Sequence, residues 1–347
     1  MRLASFMLAS LVASPVATGA LQAAPAEKRL FEMTPLEADR YITSIQSGQP
    51  DLRKRIAAIG RRNIGQPYML NLLGEFPYQL HDMLPMFSLE KSDCVVFVEH
   101  TYAMALSRSW DEFFWMLQRI RYKDGIVGVA SRNHYTEVDW NINNDWLVHD
   151  VTASLAGPEV LSYDLTTDRA SFLKAVHKTV HAAPVQHSRQ AYMNRDTLLK
   201  ILPQLRDGDM LNVVSVRDGV HGVSHVGLIA VGADGRRNVL NSAEPQVRED
   251  SLDAFFARYA EREARHARDG RNGLKLAGFK VLRLHDNIVV PPALAQPRPQ
   301  HRPLQAAPPW QAARKLWSHP HRRPFQSAGA VSDHGNSKLP RCIPTHG

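Results

Sequence analysis

Apolar positions along the chain change period about two-thirds of the way through. Leu36, Ala38, Tyr41, Ile42 and Ile45 recur at three- and four-residue intervals, which predicts helix over residues 34–60, opened by Thr34-Pro35 as cap and first-turn pair. Ile56 to Ile64 continues that pattern to a stop near Gly65. Phe97, Val98, Thr101, Tyr102, Ala105 and Leu106 mark a second helix over 93–107, with one apolar face. Trp110, Phe113, Phe114, Leu117 and Ile120 mark a third over 110–122. Residues 123–150 are polar and aromatic without a clear period, and 159–183 alternate loop and helix. After Gly208-Asp209 the period falls to two. Strands are expected at Met210–Val216, His225–Val231 and Asn238–Asn241, with Asp234-Gly235 turning between the last two. Helix returns over 250–268, and Phe279–Leu284 forms a closing strand. Helices first and antiparallel strands later define an α+β domain, with N-terminal helices packed on an antiparallel sheet.

The two ends differ from this middle. Arg2, an apolar run from Leu3 to Leu11 and the small residues around Ala23-Ala24 read as a secretion signal over 1–24. The run is short for a bilayer and Pro15 interrupts it, so a spanning helix is the poorer reading. A periplasmic or secreted protein is expected. Residues 288–347 hold 11 of the 22 prolines, and 8 Lys and Arg against a single Asp. With Arg2, that tail accounts for the whole formal charge of +8, and residues 3–287 balance 33 basic against 33 acidic side chains. A nucleic-acid function for the domain at 25–287 has no electrostatic support. The domain is expected to be a monomer.

Candidate chemistry centres on the cysteines, of which there are two. Cys94 follows Ser92-Asp93 at a predicted helix start, where a cap and the helix dipole favour a thiolate. Far downstream, His225 stands in the strand Ser224-His225-Val226-Gly227, and Asn241 ends the strand after the turn. A cysteine nucleophile, a histidine base and an Asn carbonyl orienting the imidazole form a hydrolytic set in the order of a papain-like enzyme. The backbone N–H of Cys94 is the candidate oxyanion donor. Taken singly, each has a plainer role: a small core hydrophobe, a structural strand histidine, a turn residue. The spacing of His221 and His225 suits zinc only on a helix, and here the setting is loop and strand, so no metal or other cofactor is expected. Cys342, in the tail, is read as incidental, since bridging it to Cys94 would remove the nucleophile.

Several segments together resemble the DUF1460 family, the N-acetylmuramoyl-L-alanine amidase-like proteins of the NlpC/P60 superfamily. They are Gly65-Gln66-Pro67-Tyr68, Ser92-Asp93-Cys94 with Val95 to Glu99, Ile120 to Gly125, Ser131-Arg132-Asn133-His134-Tyr135, Asp150-Val151-Thr152, Gly208-Asp209 and Ser224-His225-Val226-Gly227. The resemblance implies a papain-like NlpC/P60 core with Cys94 as nucleophile and His225 as base. It implies peptidoglycan or muropeptides as substrate, cut at the MurNAc–L-Ala amide or within the stem peptide at γ-D-Glu–diamino acid. A wall-binding module without chemistry is the reading from another class. Tyr68 and Asp93 would line the site, and Arg132 and His134 would contact lactyl or peptide carboxylates or else order their own loop. Two positions depart from the superfamily pattern. Val95-Val96 stands where many members carry Ser-Gly, and Asn241 stands where many carry His.

The tail composition cannot bury enough apolar surface to order itself. A solvated tail is the simpler reading, and peripheral contact with anionic wall or membrane the alternative. A chain ending at residue 287 is therefore expected to sediment with peptidoglycan sacculi at low salt as the full chain does. Loss of sedimentation on truncation would make the tail a wall-adhesion segment.

Overall fold

The structure, a computed structural model, describes residues 27–80 and 82–292. The expected signal segment, Cys342 and all but the first residues of the basic tail lie outside them. Two helices, α1 (Pro35–Gly48) and α2 (Leu52–Arg62), replace the single helical run expected over 34–60. Pro50 has no N–H to continue the first helix, and the Asp51 carboxylate restarts the second by accepting from the N–H groups of Arg53 and Lys54. At α1 the Thr34 hydroxyl accepts from Glu37 N–H while the Glu37 carboxylate accepts from Thr34 N–H, a reciprocal cap. Then come α3 (Cys94–Leu106), α4 (Trp110–Arg121), a π-helical turn (Thr136–Trp140) running into α5 (Asn141–Asn143), and β1 (Val148–Asp150). Next are α6 (Thr152–Ala156), β2 (Leu161–Thr167), α7 (Arg169–His177), β3 (Gln186–Tyr192) and α8 (Arg195–Ile201). The C-terminal half holds β4 (Met210–Arg217), β5 (Val220–Val231), β6 (Arg237–Ala243), β7 (Gln246–Ser251), α9 (Leu252–Arg268) and β8 (Lys275–Leu284).

Six strands form one antiparallel sheet in the order β1-β8-β4-β5-β6-β7, and β2 pairs with β3 apart from it. The fold is thus α+β with helices on an antiparallel sheet. The hairpin turn at Asp234-Gly235 is present, with Gly235 at φ 77°. β1, β2, β3 and β7 were not expected from the sequence. β7 reads Gln-Val-Arg-Glu-Asp-Ser, too polar to suggest a strand, and it lies at the sheet edge.

Side-chain alternation divides the core between the two faces of the sheet. Met210, Val214, Val226, Leu228 and Leu240 pack with Ile56, Phe97 and Tyr102 of α2 and α3. Leu211, Val213, Ile229, Val239 and Phe279 pack with Leu198 of α8 and with Phe255, Phe256 and Tyr259 of α9. Burying a side chain such as Phe97 contributes roughly 1.5–3 kcal/mol.

The helix expected to show a single apolar face, α3, is buried from Cys94 to Ala105 on all sides. Its polar residues are therefore satisfied internally. Glu99 pairs with Arg121 at 3.4 Å and accepts from the indole N–H of Trp140 at 3.0 Å. His100 Nδ1 lies 2.8 Å from the Val96 carbonyl, and Nε2 accepts the Ser88 N–H at 3.3 Å. Those partners require a neutral ring with its hydrogen on Nδ1.

Burial pushes the His100 imidazole down to about 3, the Val96 hydrogen bond only partly opposing it. In the unfolded chain the ring takes a proton near pH 6.5. Below that pH the unfolded state binds more protons than the folded one, so stability falls as pH drops toward 4. Urea midpoints are expected to fall between pH 7 and pH 5, and to fall less in His100→Gln, which has no such proton to bind.

Candidate active site

Two regions converge on the N-terminus of α3. Gly65, at φ 96°, turns the chain out of α2, and residues 65–68 then run antiparallel to β7. Gly65 N–H donates to the Val247 carbonyl at 2.9 Å, Val247 N–H to Gln66 at 2.8 Å, and Tyr68 N–H to Pro245 at 2.9 Å. On its other side this segment meets Ser92, whose carbonyl accepts from Met69 N–H at 3.1 Å. Ser92 itself is buried, its hydroxyl donating to Gln66 Oε1 at 2.6 Å while the Ser242 hydroxyl donates to its carbonyl at 2.9 Å. The start of α3 is thereby tied to β6. Of the two candidate caps, Asp93 does the work, accepting from Val96 N–H at 2.8 Å. Tyr68 lies half-buried beside it, and its phenol is pushed up by burial first and then by the charges of Asp93 and Glu244.

Cys94 is fully buried as the first residue of α3. Its sulfur is in the disulfide form here. Cys342 lies outside the described residues. Nucleophilic chemistry at Cys94 starts from the reduced sulfur.

His225 sits beside a bulge in β5. Val213 pairs with His225 and Val214 with Val223, which leaves Ser224 as the extra residue. Pairing of β5 with β6 begins only at Leu228, opposite Leu240, so the sheet is open beside His225. The imidazole Nε2 lies 3.2 Å from Asn241 Oδ1, and the ring stacks on Phe255 of α9 at a centroid distance of 6.4 Å. Leu240 points toward Gly60 and Phe97, on the α3 side, and Asn241 alternates to the other. Its amide Nδ2 donates to Val239 O at 3.2 Å and to Asp250 Oδ2 at 3.3 Å. Burial pushes the His225 ring down to about 4, with Arg262 and Arg248 adding to the effect and Asn241 and Asp250 opposing it. At neutral pH the ring is an uncharged base. Asp250 escaped the sequence reading, because Arg-Glu-Asp in an unrecognised edge strand carries no signal for it.

Arg132 and His134 belong to a different neighbourhood. Arg132 faces Glu75 across 3.2 Å, donates to Asp82 at 2.9 Å and to the Leu73 carbonyl at 3.2 Å. It also lines a cleft with Lys123, Asp139 and Arg169. His134 Nε2 lies 2.7 Å from the Val129 carbonyl, and its ring meets Phe172 and His177. Both order their own loops. Of the residues singled out in the sequence, Tyr68, Asp93 and Cys94 share one corner, and His225 and Asn241 share a hydrogen bond on the strands against which α3 packs.

Residues 58–264, more than half of the chain, match a family model described as N-acetylmuramoyl-L-alanine amidase-like, or AmiA-like. No curated protein matches the sequence. A crystal structure from Legionella pneumophila that carries the DUF1460 family model superposes with a TM-score of 0.58 at 21% identity, covering 72% of this chain and 95% of that one. A crystal structure of an N-acetylmuramoyl-L-alanine amidase from Bacteroides uniformis superposes with a TM-score of 0.51 at 22% identity, covering 68% of this chain and 99% of that one. Likeness at these identities establishes a shared fold.

Gly227, two residues after His225, faces Asn241. A Cβ there would lie 2.9 Å from Val239 Cγ1, 3.0 Å from the Leu240 carbonyl and 3.2 Å from Asn241 Cβ. Gly227→Ala is expected to force β6 away from β5 and to cost about 1–3 kcal/mol. Chemical denaturation would measure that cost. A variant as stable as the parent would place β6 farther from β5 than described.

Proposed function

The chain belongs to the N-acetylmuramoyl-L-alanine amidase-like family, DUF1460, and from that premise we propose that it is an exported cysteine amidase that hydrolyses the MurNAc–L-Ala amide of peptidoglycan fragments. The observation that carries the reading is the 3.2 Å hydrogen bond between His225 and Asn241, on strands against which the Cys94 helix packs. A carbonyl oxygen at Nε2 calls for a hydrogen there and leaves Nδ1 as the basic nitrogen. The His225 ring lies on the α9 face of the sheet and Cys94 at the start of α3 on the other; in the proposal the two act on one carbonyl through the opening where β5 has not yet paired with β6.

The steps follow from those groups. His225 Nδ1 takes the thiol proton as Cys94 Sγ attacks the amide carbonyl. Backbone N–H groups at the start of α3 stabilise the oxyanion. The C–N bond then breaks as the imidazolium returns its proton to the departing L-Ala amine, leaving the muramoyl lactyl group as a thioester on Cys94. Water, deprotonated by the same ring, releases the acid and restores the thiol. Tyr68 and Asp93 border the nucleophile's corner and are assigned to substrate contact. A papain-like NlpC/P60 core and a periplasmic or secreted location, directed by residues 1–24, complete the reading.

The test is mass spectrometry of a defined MurNAc-tetrapeptide incubated with the chain under reducing conditions, beside Cys94→Ala. MurNAc plus free tetrapeptide, formed only by the parent, is the expected result. MurNAc-L-Ala-D-Glu plus a dipeptide would move the cut to the stem peptide. A fully active Cys94→Ala would overturn the cysteine mechanism. Cys94→Ser is expected to be far slower, because its hydroxyl is not ionised at neutral pH.

A further inference from the structure

Asn241 can present either end of its amide to His225, and the two orientations have opposite consequences. With Oδ1 toward the ring, Nε2 carries the hydrogen and Nδ1 is free to accept a proton. With the amide reversed, Nε2 becomes the acceptor and Nδ1 holds the hydrogen, so nothing remains to deprotonate a thiol. The orientation is decided on the far side of Asn241. Its Nδ2 lies 3.2 Å from the Val239 carbonyl and 3.3 Å from Asp250 Oδ2, and both of those partners only accept.

Asp250 is fixed in its turn. It is 4% exposed. Arg248 Nε donates to Oδ2 at 2.9 Å, and Arg258 donates to Oδ1 through Nη2 at 2.9 Å and Nε at 3.2 Å. Arg248 is anchored as well, donating to the carbonyls of Ala243 at 3.1 Å and Glu244 at 2.9 Å, where β6 turns into β7. Asn241 and Asp250 are diagonal neighbours on one face of the β6–β7 pair, since Asn241 pairs with Arg248 and Val239 with Asp250. A carboxylate held by two guanidinium groups cannot turn a donor toward Asn241.

We infer that Asp250 is a positioning residue: it locks the Asn241 amide so that His225 keeps its hydrogen on Nε2 and offers Nδ1 as the base. The catalytic meaning of that lock rests on the cysteine amidase reading, whereas the lock itself is a property of the fold. The groups that face His225 are Asn241 from β6, Arg248 and Asp250 from β7, and Phe255 and Arg262 from α9. Among them only Asp250 is an anion; besides its charge, which raises the ring directly, it acts through Asn241.

The experiment pairs a tautomer measurement with kinetics on the full chain, reduced at pH 7. Nitrogen-15 NMR of the imidazoles reports which nitrogen of His225 is protonated, with no substrate present. The parent is expected to show the Nε2–H form. Asp250→Leu removes the charged one of the two acceptors, leaving the Val239 carbonyl, and is expected to give a mixture of tautomers, with kcat down roughly tenfold, the worth of one hydrogen bond to a charged group, and KM unchanged. Adding Asn241→Asp puts an oxygen toward His225 whichever way the side chain turns. The double variant should recover the Nε2–H form and most of kcat, with the acid limb of the pH profile moved upward by the new charge. A parent ring protonated on Nδ1 overturns the inference even if Asp250→Leu does not fold. So does a loss of kcat in Asp250→Leu with the tautomer unchanged. Should the parent cut no MurNAc-tetrapeptide while the tautomer still responds to Asp250→Leu, the amidase reading fails and the positioning role stands.

Discussion

Burying α3 is the constraint from which the rest of the architecture follows. Its sequence offers no polar face to water, and Cys94 through Ala105 are enclosed. Enclosure needs a layer on each side. The sheet supplies one through Leu228 and Leu240, and α2, α4 and the segment around Trp140 supply the other. It also needs partners for whatever is polar. Glu99 would be prohibitively costly to bury alone, and Arg121 and the Trp140 indole answer it. Arg121 is a member of the Ile120–Gly125 segment that resembles DUF1460, so that resemblance traces the groups that allow a charged residue inside the central helix.

The same enclosure positions the candidate chemistry. A helix start that floated would present Cys94 in many directions. Here the Asp93 cap, the Ser92–Gln66 and Ser92–Ser242 hydrogen bonds and the strand-like segment ending at Tyr68 hold it from three sides. His225 is held differently, by a bulge that breaks the β4–β5 register and by the absence of β6 pairing ahead of Leu228. Bulges re-aim side chains next to sites, and this one lies immediately before the histidine. A rigid helix start and a strand opening thus hold each of the two groups in place, one on either face of the sheet.

What could be read from the sequence was what depends on near neighbours. The α3 boundaries, the Asp234-Gly235 hairpin and the His225 strand follow from period and turn chemistry. Asn241 as the partner of His225 also followed, because a two-strand hairpin with a known turn sets its own register. The break between α1 and α2 was signalled by Pro50 yet overridden by continuing periodicity. The strands β1, β2, β3 and β7 were not legible, since their residues are exposed or charged and their pairing is decided by partners elsewhere. Asp250 was lost with β7: its role as a neighbour of Asn241 exists only in the diagonal geometry of paired strands.

Arg132 and His134 show how a family resemblance and a local environment can be separated. If Arg132 were to hold a substrate carboxylate, that anion would have to displace Asp82 at 2.9 Å or crowd Glu75 at 3.2 Å. Glu75 already lies where burial pushes its carboxyl upward against the pull of Arg132 and Arg121, so a further anion there would meet a site that disfavours negative charge. Its oxygen accepts the Tyr122 hydroxyl at 3.0 Å, which extends the same network toward α4. The guanidinium is therefore spent on joining residues 73–82 to the segment after α4. Recognition of an acidic substrate on this side would fall to the cations that share the cleft without that commitment. Lys123 is exposed there, whereas Arg169 is paired with Asp139.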